Sequence, residues 1–273
     1  MKTIIVATDF SAAASNAANY AADLALAIKA DLFLLHTWQV PVIFSEVPVT
    51  TDINKWLKEA EANMSNLKTA LFKRTNGNVK IAAEIIEGDF FRELKNLCES
   101  IRPYAVVMGS QGTTNTERFL LGNHIVHATK NLAWPLIAVP PGATFYTIKK
   151  VALACDCDNV TDTVPVDEIR KMINEFHCEL HVLNTGKKEV YNSDTVFESG
   201  MLKEMLKGLN PIFHFLTHEN TDQGILDFAD QNNIDLLMVL PKRHSLIDKI
   251  IHRSHTKQWV LHSQVPVMAL HHS

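Results

Sequence analysis

The sequence predicts an α/β protein built as two tandem doubly wound domains, and three observations carry that expectation. The chain has 273 residues, about twice the commonest domain size. Short β-branched runs alternate with longer stretches of helical periodicity, the pattern of right-handed βαβ units and of a parallel sheet with helices on both faces. The order of these runs then recurs in the second half. With 47% hydrophobic and 21% charged residues, the composition is that of a chain able to bury an ordinary core.

In the first half, Lys2–Thr8 is a buried-strand run. Ser11 stands where it can cap a helix carrying Ala14, Ala17, Ala18, Ala21, Leu24, Ala25 and Ile28 at helical spacing. Asp31–Thr37 reads as the second strand. Beyond Pro41 and Pro48, a helix is expected from about Asp52, with Trp56, Leu57, Ala60, Met64, Leu67 and Leu71 on its apolar face. Val79–Ile86 reads as the third strand, and Asp89 caps a helix running to Ile101. Tyr104–Met108 is the fourth strand, and a helix over Asn123–Leu132 leads to the fifth, Leu136–Val139.

The second half repeats this order. Lys150–Ala154 runs toward Asp156 as the first strand runs toward Asp9, 147 residues apart. Glu179–Thr185 matches Asp31–Thr37 at 148, and residues 104–139 align without a gap to 235–270 at 131. The drop places a deletion of 17 residues between the second and third strands of the second copy. Only His124/His255, Pro135/Pro266 and Ala138/Ala269 are identical in the gap-free block, so the duplication rests on element order and on apolar positions falling together. The competing reading is one continuous sheet. Pro140-Pro141-Gly142 opens the linker, which divides the chain into expected domains 1–145 and 146–273.

Charge and cysteine usage narrow the function classes. A formal charge of -4 argues against a nucleic-acid or anionic-membrane partner. No apolar run is long enough to span a bilayer, and the first residues pass straight into Ile4–Ala7 with no signal-peptide pattern. Four cysteines do not make a disulfide framework, so a reducing, cytoplasmic setting is expected.

The sharpest motif is Gly109-Ser110-Gln111-Gly112, then nine residues, then Gly122-Asn123. Glycines at a strand exit let a backbone approach a ligand closely and turn successive N–H groups inward, as a phosphate cradle requires. Asn123 is a strong N-cap type, and the helix it opens offers free N–H groups to an anion. The same glycines also suit a plain strand exit and helix start.

These residues resemble the universal stress protein family, whose signature is G-x2-G-x9-G-[ST] after the fourth strand. Val6-Ala7-Thr8-Asp9-Phe10-Ser11 is similar to the family's first strand and acidic exit, and Leu34-Leu35-His36-Thr37 to its second. The resemblance covers the chain as two copies. It implies five-stranded parallel sheets in the order 3-2-1-4-5, with ATP or another adenine nucleotide lying across the ends of strands 1 and 4. By that resemblance Asp9, with Ala7 and Thr8 beside it, faces the adenosine end. Thr37 edges the base pocket, while Gly109, Gly112, Gly122 and Asn123 hold ribose and phosphates. Asn123 departs from the family's Ser or Thr. Arg118 is the only cation between Gly112 and Gly122, so backbone dipoles and a divalent metal such as Mg2+ would carry the phosphate charge.

The second copy has lost this set: Leu240, Arg243 and Arg253 stand where Gly109, Gly112 and Gly122 do, with Ser254 at the place of Asn123. Side chains there fill the space a phosphate chain needs. Lys242, Arg243 and Arg253 make either a basic pocket for another anion or a solvated or dimer-facing loop. Cys155-Asp156-Cys157 lacks zinc spacing, and the His124/His127, His252/His255 and His271/His272 pairs lack a matched carboxylate or cysteine, which favours packing and surface roles. No nucleophile elbow, Walker lysine or zincin motif is present, so no catalytic residue and no metal ligand is assigned.

The expected function is therefore a stress-response sensor or interaction module that binds an adenine nucleotide in its first domain. A slow ATP-hydrolysing or phosphotransferring enzyme and a nucleotide-free docking scaffold are the alternatives. The fifth strands, Leu136–Val139 and Val267–Leu270, are apolar and carry no charge. Such edges pair, and family resemblance implies dimers through them. The two halves are accordingly expected to meet antiparallel within one chain as a pseudo-dimer, with a homodimer of whole chains also open.

Overall fold

The computed structural model describes residues 2–39, 53–110, 124–156, 159–184, 193–216, 218–241 and 255–271. Its first half runs β1 (Lys2–Ala7), α1 (Ala12–Ile28), β2 (Ala30–Trp38), α2 (Ile53–Arg74), β3 (Ile81–Glu87), α3 (Phe90–Ile101), β4 (Ala105–Gly109) and β5 (Leu136–Val139). Helical residues 124–131, α4, precede β5. The second half runs β6 (Lys150–Cys155), α5 (Val160–Thr163), α6 (Val166–Phe176), β7 (Glu179–Asn184), α7 (Ser193–Met205), β8 (Ile212–Phe215), α8 (Thr221–Gln231), β9 (Leu236–Val239), α9 (His255–His262) and β10 (Val267–Ala269). Among the described residues, no helix is long and apolar enough to cross a membrane.

All ten strands form one sheet in the order β3-β2-β1-β4-β5-β10-β9-β6-β7-β8. Each half is parallel and has the order 3-2-1-4-5. The seam is the single antiparallel pairing among the described residues, Val267↔Ala138, Met268↔Ile137 and Ala269↔Leu136. Duplication and a continuous sheet, opposed as alternatives in the sequence, are thus both present. The fifth strands are what reconcile them, because neither edge is left open at the centre.

Local chemistry sets the element ends. Ser11 Oγ accepts the Ala14 N–H at 3.1 Å, and Asp89 Oδ1 accepts the Arg92 N–H at 2.9 Å, the two caps expected from the sequence. Helix α1 ends at Lys29 in the left-handed region, φ 54°. Its buried face is mostly alanine, which lets it lie close on β1 and β4. Ala60, Met64 and Leu71 of α2 are buried, but Trp56, expected on that face, is 40% exposed; it stands in the first turn, next to residues outside the described set. Helix α7 has 13 residues where α2 has 22, so much of the inferred deletion falls there.

Two apolar layers flank the sheet, and both run across the seam. One joins α1 and α2 to α6, Phe145 and Ile148; the other joins α3 and α4 to α8 and α9. Polar ties reinforce the join. Lys2 pairs with Glu175, and the Asn16 side-chain amide donates to the linker carbonyls of Pro140 and Ala143, both at 3.2 Å.

Candidate functional site

Strands β1 and β4 lie side by side, Ile4↔Ala105 through Val6↔Val107. After β1 the chain crosses one face of the sheet as α1; before β5 it returns over the other as α4. This divergence makes the carboxyl ends of the two strands the topological switch point, the place where open α/β sheets bind ligands. Continuing the register sets Thr8 beside Gly109 and Asp9 beside Ser110.

The β1 exit is tightly wired. Ala7 and Thr8 are buried, and the Thr8 N–H donates to the Leu35 carbonyl at 2.9 Å. Thr8 Oγ1 accepts the Phe10 N–H at 3.0 Å, and the Thr8 carbonyl accepts from His36 Nδ1 at 2.8 Å. That bond fixes the His36 proton on Nδ1 and leaves Nε2 as an acceptor in the neutral ring. Asp9 is exposed, and its Oδ1 accepts the Ser11 N–H at 3.0 Å. Between them Phe10 takes φ +64°, unusual for a bulky residue, with its ring 4.5 Å from that of His36. Phe10 does not close a helix, as Lys29, Arg102 and His177 do, and strained backbone of this kind clusters at ligand and switch sites.

The β4 exit adds two features. A Cβ on Gly109 would sit 2.9 Å from both the carbonyl carbon and oxygen of Ala13. The close approach that requires this glycine is therefore to the first turn of α1, where the sequence suggested a ligand. Next to it, Ser110 is 1% exposed; its N–H donates to the Val139 carbonyl at 2.9 Å, but its buried Oγ has no hydrogen-bond partner among the described residues. Thr37 lies half-buried near the end of β2. The structure thus brings Ala7, Thr8, Asp9 and Gly109 together at neighbouring strand ends, with Thr37 one strand away. Gly112, Gly122 and Asn123 lie outside the described residues.

Sequence reasoning passed over Phe10, His36 and Ser110. Ser110 had a signal, since it occupies the variable position directly after the strand-ending glycine. The contact of His36 with Thr8 had none, because it depends on β1–β2 register.

In the second half the equivalent strand end is filled. Leu240 packs against the same apolar layer that holds Val160, Val164 and Leu202, and Pro241 stands at the position of Ser110. Lys242, Arg243, Arg253 and Ser254 lie outside the described residues.

Other constellations resolve into packing with one correction. His124 and His127 lie on Phe90 and Phe91, ring centroids 4.9 and 4.4 Å apart. His255, expected to lack a carboxylate, has one: its Nδ1 meets Asp222 Oδ1 at 2.7 Å. The partner is 33 residues away on α8, invisible to local spacing. Burial, with Glu99 nearby, pushes the Cys98 thiol up to about 12, and burial pushes Cys178 up to about 11. Both stay protonated and unreactive at neutral pH.

A family model described as the universal stress protein family matches residues 1–140 and again 148–271. The chain belongs to the universal stress protein family. A universal stress protein of Methanocaldococcus jannaschii is 29% identical over 141 residues, covering 50% of this chain and 81% of its own. The crystal structure of a universal stress protein from Archaeoglobus fulgidus superposes with a TM-score of 0.72 at 14% identity, covering 99% of this universal stress protein and 98% of that chain. At this identity the likeness is one of fold, and it extends over both halves. A family member from Arabidopsis thaliana, solved with AMP bound, aligns to 52% of this chain and 94% of its own at 17% identity and a TM-score of 0.37. Its AMP is a property of that protein.

Proposed function

We propose that this tandem universal stress protein binds one adenine nucleotide at the switch point of its first half, and acts as a nucleotide-responsive interaction module. The observation that carries the reading is the asymmetry between the halves at the end of the fourth strand. In the first half the strand ends on Gly109 and on the buried hydroxyl of Ser110, which has no partner among the described residues. A buried polar group left unpaired costs about 1–3 kcal/mol, and a ligand's polar atoms would relieve it. In the second half Leu240 joins the core, and Pro241 offers neither a hydroxyl nor an N–H.

In this reading the residues divide by chemistry. Asp9 is an acceptor with one oxygen engaged by Ser11, and it suits ribose hydroxyls or an amino group at the adenosine end. Ala7, Thr8 and Thr37 line the base and ribose side. The backbone of Gly109, Gly112 and Gly122 and the amide of Asn123 serve the phosphates through N–H groups and the start of a helix. With Arg118 the only cation between Gly112 and Gly122, a bound divalent cation such as Mg2+ would offset the charge of a triphosphate.

Calorimetric titration with AMP, ADP and ATP tests the reading. Asp9→Ala is expected to weaken binding at least about tenfold, the size of one charge-assisted hydrogen bond. Gly122→Arg, which copies the second half into the first, is expected to abolish binding with an unchanged circular dichroism spectrum. Unchanged affinity in both variants would remove the crevice as the site.

A further inference from the structure

The seam between the halves has two pseudo-equivalent grooves, and among the described residues only one of them is filled. Lys29 and His177, the left-handed residues that end α1 and α6, correspond in the repeat and lie 148 apart. Tyr20 of α1 therefore corresponds to Glu168 of α6, and Leu24 to Met172. At the other side of each groove, Asp235 corresponds to Tyr104. Beside β5 the groove is closed by the linker. Phe145 meets Tyr20 edge-on at 5.4 Å, and Phe145 and Ile148 are buried together with Leu24, Ile137 and Val139.

Beside β10 the corresponding groove is a cavity of ≈ 320 Å³ to which both halves contribute walls. That is within the usual range for small-molecule sites, which favour domain junctions. Tyr104 and Trp134 supply aromatic surface, and Met172 and Leu270 supply aliphatic surface. Tyr104 Oη is buried with no hydrogen-bond partner among the described residues, and burial, aided by Glu175 and Cys178, holds the phenol protonated and so able to donate. Arg102 and Lys171 reach the wall, and neither makes an ion pair among the described residues; Glu168 is the one carboxylate of the lining, and Glu175, paired with Lys2, lies behind Tyr104.

We propose that this seam cavity is a second ligand site, specific for a small carboxylate with an apolar body of one or two rings. The body would take the place that Phe145 fills in the sister groove. The carboxylate would face Arg102 and Lys171 and accept the Tyr104 hydroxyl. The site exists only because the two halves are joined, and it shares no residue with the β1–β4 crevice.

Binding of 2-naphthoate to the full chain, followed by saturation-transfer NMR and calorimetry, tests the proposal, with 2-naphthalenemethanol as the neutral probe. One naphthoate per chain is expected, bound at least about tenfold more tightly than the alcohol, a difference of about 1.4 kcal/mol. Charge reversal in the double variant R102E/K171E should remove that preference, leaving the alcohol unaffected. Met172→Trp, which fills the cavity, should abolish binding of both probes; should that buried substitution prevent folding, the surface double variant decides alone. Equal affinity for acid and alcohol, a preference that survives charge reversal, or the absence of naphthoate binding overturns the proposal. Displacement of naphthoate by AMP also overturns it, because the probe would then be in the nucleotide crevice.

Discussion

Gly109 shows how one residue can be legible while its reason is not. A strand-ending glycine before a second glycine points to a ligand in the sequence, yet the atoms that exclude a side chain are the backbone carbon and oxygen of Ala13, 2.9 Å from the missing Cβ. Backbone cannot rotate away as a side-chain tip can. Gly109→Ala is therefore expected to destabilise the protein by about 1–3 kcal/mol, the usual cost of overpacking a fitted core, seen as a lower urea midpoint with or without nucleotide. At the start of the same helix, Ser11→Ala removes the acceptor of the Ala14 N–H and should cost about 0.5–2 kcal/mol in the same assay. The caps Ser11 and Asp89 were readable because capping is local, one side chain answering an N–H three residues on. Phe10 and His36 were not, because the contact between their rings is set by strands that pair across the sheet.

Among the elements, β7 and β8 carry a pairing with a pH signature. His181 Nδ1 lies 2.9 Å from His214 Nε2, the rings stack 5.2 Å apart, and Phe228 of α8 closes over both. Burial and the neighbouring His181 lower the pKa of His214; among the described residues Glu179, 3.4 Å from His181 Nε2, is the one carboxylate paired with either ring. A histidine with a lowered folded pKa binds fewer protons folded than unfolded. Its share of stability is full above the unfolded value of about 6.5 and is lost as pH falls below it. Urea unfolding at pH 7.5 and 5.5 should show this loss, and His214→Phe should make the dependence shallower; an unchanged slope in the variant would refute the assignment. Element order and type were legible in the first half, and in the second for the strands that match it, since periodicity and β-branched runs are properties of short segments; the short helix α5 was not. The exposed Trp56 and the partnering of His255 with Asp222 were not, since each depends on which helix lies alongside.

At the scale of the molecule, the duplicated chain closes its own central edge. Three residue pairs join β5 to β10, and apolar layers continue across them on both faces. Apolar composition and the absence of charge on both fifth strands made this pairing legible, whereas the contrast between the two grooves was not, because it depends on how side chains pack across the seam. Residues 1–145 expressed alone expose β5 and are expected to dimerise or aggregate in analytical ultracentrifugation; a monomer with full nucleotide affinity would contradict the role given to the second half. That role explains why the second copy can carry Leu240 and Pro241 where the first keeps Gly109 and Ser110. The most direct test of the account is the stoichiometry of adenine-nucleotide binding to the intact chain by calorimetry. One nucleotide per chain, lost in Gly122→Arg, is the predicted result. Two equivalent sites per chain, or one site untouched by that substitution, would contradict it.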